Sequence, residues 1–263
     1  MSTSRGEDLA LALRMADAAD AITLARYQAQ DLTITTKPDN TPVTDADKAT
    51  ERCIREILET ERPDDGILGE EFGSDITGKN RYWVIDPIDG TMHFVRGNPF
   101  CTTMVVLIED GEPIFSAIYD FVNDIMYHAE KGKGSFKDGE RINVGDRPVE
   151  QSVVALETDQ SKPINVEIRN KVRERSLLFQ SISAGYEFVL VATGKIEARI
   201  CFDPFGHDYD FAPGCLLVAE AGGIVNNIGS ESYDFKNVNL IAGNKHLVEN
   251  FTNKSFGIFP LDD

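Results

Sequence analysis

The run Asp86-Pro87-Ile88-Asp89-Gly90-Thr91 decides how this chain reads. It places two carboxylates, a backbone carbonyl and a helix-start turn within six residues. The segment before it, Arg81-Tyr82-Trp83-Val84-Ile85, is dominated by β-branched and aromatic residues and reads as a buried strand. Pro87 cannot donate to a ladder, so the strand is expected to end near Asp86. Side chains three apart on the turn that follows can converge on one spot. Gly90 lets the backbone come close to a ligand, and Thr91 opens the next element. Hard divalent cations such as Mg²⁺ take oxygen ligands and complete their shell with water and substrate phosphate oxygens. The run therefore reads as a metal–phosphate site.

The rest of the composition narrows the chemistry. The chain has 263 residues, enough for one large domain or two small ones sharing an interface. Hydrophobic content of 41% and charged content of 27% place it with ordinary globular proteins. A formal net charge of −18 argues against nucleic acid, which is bound through cationic contacts to phosphate. No stretch approaches the roughly 18 apolar residues that span a bilayer, so no membrane partner is expected. The polar N-terminus, Met1 to Asp8, does not resemble a signal peptide. Cys53, Cys101, Cys201 and Cys215 form no Cys-x-x-Cys, which fits free thiols in a reduced cytoplasm. A bare acidic site would repel a phosphate dianion, whereas bound divalent ions would invert that local field.

Glu7 to Gln30 reads as a helix, and a turn-rich loop, Thr36-Lys37-Pro38-Asp39-Asn40-Thr41-Pro42, follows. Thr44 is a suitable N-cap for a second helix over Asp45 to Thr60, with Asp47 in its first turn. Short apolar runs recur at Ile67-Leu68, Trp83 to Ile85, Thr103 to Ile108 and Pro113 to Tyr119, and Glu109-Asp110-Gly111 joins the last two as a hairpin. Lys131-Gly132-Lys133-Gly134 reads as a solvated hairpin turn rather than a phosphate loop, since no Walker spacing surrounds it. Further on, helices fit Tyr186 to Ala192 and Phe211 to Ala221, and strands fit Glu197 to Phe202 and Val238 to Ala242. The pattern is one α/β (α+β) unit over 1–263, with a soft division near 144–152.

Three more acidic motifs accompany the first. Gly69-Glu70-Glu71-Phe72-Gly73 alone reads as a solvated loop between glycines. Thr44-Asp45-Ala46-Asp47 alone reads as a helix cap with carboxylates favoured by the dipole. Tyr209-Asp210-Phe211-Ala212-Pro213 alone reads as an N-cap with proline shortly after it. Their joint occurrence, in this order and spacing, resembles the inositol monophosphatase family of metal-dependent, lithium-sensitive phosphatases, as does Ala219-Glu220-Ala221-Gly222-Gly223. The resemblance spans nearly the whole chain. It implies a layered αβαβα sandwich of the inositol-monophosphatase/fructose-bisphosphatase type, a homodimer, and hydrolysis of a small phosphate monoester by metal-activated water.

The resemblance also implies roles. Glu70, Asp86 and the Ile88 carbonyl would hold a first Mg²⁺; Asp86, Asp89 and Asp210 a second; Glu70 and water a third. Asp47 and Thr91 would form the dyad that orients and deprotonates the attacking water. The Gly90 and Thr91 amides would take the phosphate, with Asp89 and Asp210 beside it, and Ser183, Ala184 and Glu187 would line the pocket for the alcohol. Two or three divalent ions would let five carboxylates share one pocket.

Some residues depart from the family pattern. Tyr209 stands where tryptophan is usual, His93 where asparagine is common, and residues 203–208 make a longer approach to the last motif. Thr36-Lys37-Pro38-Asp39, Pro42-Val43-Thr44, Ile67 to Gly73, Phe94-Val95-Arg96-Gly97 and Ala212-Pro213 resemble the bacterial histidinol-phosphate phosphatase branch. Inositol monophosphate and histidinol phosphate therefore stand as the two expected substrates. A bisphosphonucleotide or NADP phosphatase, or a non-catalytic metal and phosphate-ligand binding protein on the same scaffold, are the alternatives.

Overall fold

Alternating burial along the strands sets the layers of this protein. In β6 (Thr102–Glu109), Val105 and Leu107 pack on one side of the sheet and Met104, Val106 and Ile108 on the other. Successive side chains of a strand point to opposite faces, so a strand apolar at every position must be covered twice. The computed structural model describes residues 5–37 and 41–260. Pro38, Asp39 and Asn40 of the turn-rich loop lie outside the described residues, as do the first four and last three.

The first half runs α1 (Arg5–Arg26), β1 (Ile34–Thr36), β2 (Pro42–Thr44), α2 (Asp45–Glu61), β3 (Gly66–Gly69), β4 (Gly73–Asp75), β5 (Arg81–Asp89) and α3 (Thr91–Val95). After β6 come β7 (Glu112–Asp120), β8 (Ile125–Glu130), β9 (Gly134–Lys137) and β10 (Glu140–Ile142). The second half comprises β11 (Val153–Glu157), α4 (Pro163–Arg175), β12 (Leu177–Gln180), α5 (Ala184–Ala192), β13 (Ala198–Cys201), α6 (Asp208–Glu220), β14 (Ile224–Asn227), β15 (Leu240–Gly243) and α7 (Lys245–Phe251). An eight-stranded sheet has the order β10-β9-β8-β7-β6-β5-β3-β4, antiparallel except for the β3–β5 pair. A five-stranded sheet has the order β12-β11-β13-β15-β14.

Leu11 and Met15 of α1 and Ile54 and Leu58 of α2 cover the Trp83–Ile85 face of the large sheet. Phe188 of α5 and Phe211, Cys215 and Leu217 of α6 fill the space between the two sheets, meeting Met104 and Ile118 on one side and Ala155, Cys201 and Ala242 on the other. Val172 of α4 and Leu247, Val248 and Phe251 of α7 close the outer face of the small sheet. The order of layers is αβαβα, as the resemblance implies.

Several boundaries differ from the sequence reading. The strand containing Trp83 continues through Pro87 to Asp89 rather than ending at Asp86. Pairing with β6 slips between Asp86↔Met104 and Asp89↔Thr102, so a bulge absorbs the donor that proline lacks. α1 ends at Arg26 because Gln28 turns left-handed at φ 62°. α6 begins at Asp208, not Phe211: Asp210 is its third residue, and its carboxylate reaches back to accept the His207 amide. α4, α7, β11 and β12 were not expected from the sequence, although Pro163 at the start of α4 and the Asn244 cap of α7 were available signals. The 109–111 hairpin forms with Asp110 and Gly111 both at positive φ. The glycine-rich turn at 131–134 donates its Gly132 and Gly134 amides to Glu220 at 2.7 and 2.9 Å.

Candidate active site

The end of β5 and the turn after it deliver most of the acidic groups. Asp86 is buried at the last regular position before the bulge, and both its carboxylate oxygens lack a hydrogen-bond partner. Past the bulge, Asp89 accepts from Ser183 Oγ at 2.7 Å and from the Gly185 and Ala184 amides at 2.8 and 3.2 Å. Asp210 enters from the first turn of α6. One carboxylate oxygen from each of Asp86, Asp89 and Asp210 lies within 4.8 Å of the others. Glu70 follows β3, the parallel neighbour of β5, and accepts a 2.6 Å bond from Lys37 Nζ, which also pairs with Glu71 at 2.6 Å.

Gly90 caps α3 in the left-handed conformation, φ 78°. A Cβ there would lie 2.4 Å from the Phe100 carbonyl oxygen, so glycine is required on both counts. Thr91 opens the helix, and its Oγ1 lies 3.0 Å from both an Asp47 oxygen and the Ile88 carbonyl oxygen. Asp47 itself is held at the start of α2 in a capping box. Its carboxylate accepts the Thr44 amide at 2.8 Å, and Thr44 Oγ1 accepts from the Ala46 and Asp47 amides.

Burial pushes the carboxyls of Asp47, Glu70, Asp86, Asp89 and Asp210 upward. Asp86 rises well above the ordinary range, first through desolvation and then through the charges of Glu70, Asp89 and Asp210. Asp210 rises well above it too, opposed by the His207 amide. Burial lifts Glu70 to about 7 although Lys37 opposes the shift. Burial also raises Asp89, against its bonds from Ser183 and Gly185, and Asp47, against its bonds from Thr44 and Thr91. Lys37 offers one positive charge to this cluster. Hard oxygen donors, converging and with Asp86 left unpartnered, suit divalent cations.

The groups face a cleft of about 370 Å³. Glu70, Asp86, Ile88, Asp89, Gly90, Thr91, Ser183, Ala184 and Asp210 all line it. Asp47 reaches it through Thr91. Glu187 does not: it is buried against Arg199 and accepts the Ile182 amide and the Ser181 hydroxyl, behind the wall it was expected to line. Ser183 Oγ is committed to Asp89. His93 stacks edge-on against Phe100, ring centres 5.7 Å apart, and its Nδ1 lies 3.4 Å from Asn98 Nδ2.

Two contributors were missed. Glu51, one helical turn after Asp47, accepts the Glu71 and Phe72 amides at 2.6 and 3.2 Å and so shapes the Glu70 turn. Its i, i+4 spacing from Asp47 was the available signal. Glu157, at the end of β11, lines the cleft and takes the Phe205 and Gly206 amides at 3.0 and 2.9 Å.

Known proteins are similar to this chain in sequence and fold. The profile of the inositol monophosphatase family matches residues 6–256. A histidinol-phosphatase from Mycobacterium tuberculosis is 37% identical over 84% of this chain and 88% of its own length. An inositol-1-monophosphatase from Rhizobium meliloti is 31% identical over 84% and 85%. Among solved structures, the extragenic suppressor protein suhB from Bartonella henselae superposes with a TM-score of 0.86 at 27% identity, covering 92% of this chain and 95% of that one. The relatives named here are phosphatases, and the class they define is the phosphoric monoester hydrolases. The chain belongs to the inositol monophosphatase family, whose members depend on metal.

Proposed function

We propose that this chain is a Mg²⁺-dependent phosphomonoesterase acting on a small alcohol phosphate, histidinol phosphate before inositol monophosphate. The observation that carries the reading is the unpartnered, buried Asp86 carboxylate facing Asp89 and Asp210. Glu70, Asp86 and the Ile88 carbonyl would be the donors for one Mg²⁺, Asp86, Asp89 and Asp210 for another, and Glu70 for a third. Divalent ions there would lower the pKa of water and offset charge on the leaving alkoxide. Thr91 Oγ1, held by Asp47, orients the attacking water, and the buried Asp47 carboxylate takes its proton. Gly90 and Thr91, at the start of α3, hold the phosphate with helix-end amides that have no intrahelical acceptor.

Preference for histidinol phosphate is supported by the rim of the cleft, where Met92, Ile182 and Phe205 expose apolar side chains. A flat imidazole gains from such a surface, and a polyol gains little. The test is phosphate release from histidinol phosphate and myo-inositol 1-phosphate with Mg²⁺, with EDTA and with added Li⁺. A Mg²⁺-dependent preference for histidinol phosphate of about 100-fold in kcat/KM, roughly 2.7 kcal/mol, is expected. Release that survives EDTA, or is absent from both, overturns the reading. Four free thiols support a cytoplasmic setting. A homodimer is proposed with it, and light scattering at the mass of one chain would refute that.

A further inference from the structure

Arg199 is fully buried in β13 and lines no part of the cleft, yet two walls of the cleft are tied to it. On one side its guanidinium pairs with Glu157, whose other oxygen takes the amides of Phe205 and Gly206. On the other it pairs with Glu187 and donates to Ser181 Oγ at 3.1 Å, and Glu187 in turn holds the Ile182 amide. The rings of Phe188 and Phe211 lie against it, each centre 5.2 Å from its central carbon. Phe211 adjoins Asp210, and a Cβ on Gly206 would lie 2.5 Å from the Phe211 ring, so the 205–207 segment packs directly on this sandwich.

A buried charge cluster is weak ground for a stability role, since apolar groups of equal volume often serve as well. What a guanidinium adds is a rigid fork whose donors point two ways while its faces stack on rings; an ammonium has no such plane. We infer that Arg199 is a positioning residue that holds the 181–183 and 205–207 walls in register and so sets which alcohol the cleft accepts. The specificity part rests on the phosphomonoesterase reading above; the coupling of the two walls does not.

Arg199→Lys and Glu157→Gln, each with Mg²⁺, are compared with the unsubstituted chain by amide hydrogen exchange and by steady-state kinetics on the two phosphates. Arg199→Lys is expected to speed exchange at Ile182, Phe205 and Gly206 by about tenfold or more while leaving β5 and β6 protected. It is expected to change the ratio of KM values for the two substrates on the order of fivefold, with a smaller change in the kcat ratio. Glu157→Gln keeps an acceptor for the two amides and loses the charge pair, so its exchange change is confined to the 205–207 wall. Unchanged local exchange in both variants overturns the positioning role whatever the activity. Altered exchange with unaltered substrate ratios overturns the specificity role. No phosphate release by the unsubstituted chain overturns the phosphatase reading instead, and the exchange measurement still decides the coupling. Should Arg199→Lys fail to fold, Glu157→Gln carries the same two readouts.

Discussion

Thr91 Oγ1 lies 3.0 Å from the buried carboxylate of Asp47, a contact between residues 44 apart that joins the start of α3 to the start of α2. Each partner is fixed by its own backbone: Asp47 by a capping box, Thr91 by the left-handed glycine before it. A hydroxyl held in this way is aimed before substrate arrives.

Thr91→Ala removes the hydroxyl and leaves the clustered carboxylates in place. Phosphate release should slow by about 10²-fold in kcat, with Mg²⁺ affinity little changed. Single-turnover assays at saturating Mg²⁺ check this, and an unchanged rate constant removes Thr91 from the mechanism.

Asp89→Asn should weaken Mg²⁺ binding and cripple turnover. An amide NH₂ would also face the donors from Ser183 and Gly185 that now converge on the carboxylate. Ser183→Ala leaves the carboxylate but removes one of its anchors, and should weaken Mg²⁺ about 10- to 100-fold. Calorimetric titration separates the two variants, and wild-type affinity in both would refute the assignment of Asp89 as a ligand.

The raised carboxyls make the metal-free protein sensitive to pH. Glu70 titrates at about 7 in the fold against an ordinary value of 4.5, so the folded chain binds the extra proton between those limits. This contribution therefore favours folding at the acid end and is lost as pH rises toward 7. Asp86 and Asp210, also raised, act in the same direction. Mg²⁺ binding must displace those protons, so the gain in Tm on adding Mg²⁺ to EDTA-treated protein should grow from pH 5 to pH 7.5. Scanning calorimetry across that range reads it; a gain that shrinks with rising pH contradicts it.

Gly90→Ala places a Cβ at φ 78° and 2.4 Å from the Phe100 carbonyl oxygen. The left-handed backbone alone costs about 1–2 kcal/mol, and the contact adds to it. A fall in the denaturant midpoint together with loss of phosphate release is expected. Glycine-like stability would show that the turn relaxes.

The hexapeptide was legible because metal and phosphate chemistry impose residue type and spacing together. Asp86, Asp89 and Gly90 thus sit at the cleft as their spacing suggested. The N-cap at Thr44 was equally plain, since its chemistry is local; that Asp47 closes a reciprocal box with it emerged only from the structure. Pro87 misled because a bulge, a tertiary accommodation to β6, lets the strand pass it. Pro213 misled similarly, lying inside α6 rather than marking its first turn. Glu187 was placed on the right element but faces a partner, Arg199, that only the folded sheet brings near. A charge between Ala198 and Ile200 in an apolar run was the one hint of that pairing.

α6 lies between the two sheets and contributes Asp210 from its first turn. During synthesis Asp47, Glu70, Asp86 and Asp89 leave the ribosome well before Asp210 does. A nascent chain that has folded only the large sheet therefore lacks one of the three carboxylates that converge in the finished fold. Convergence of the three carboxylates thus waits until α6 is seated between the two sheets.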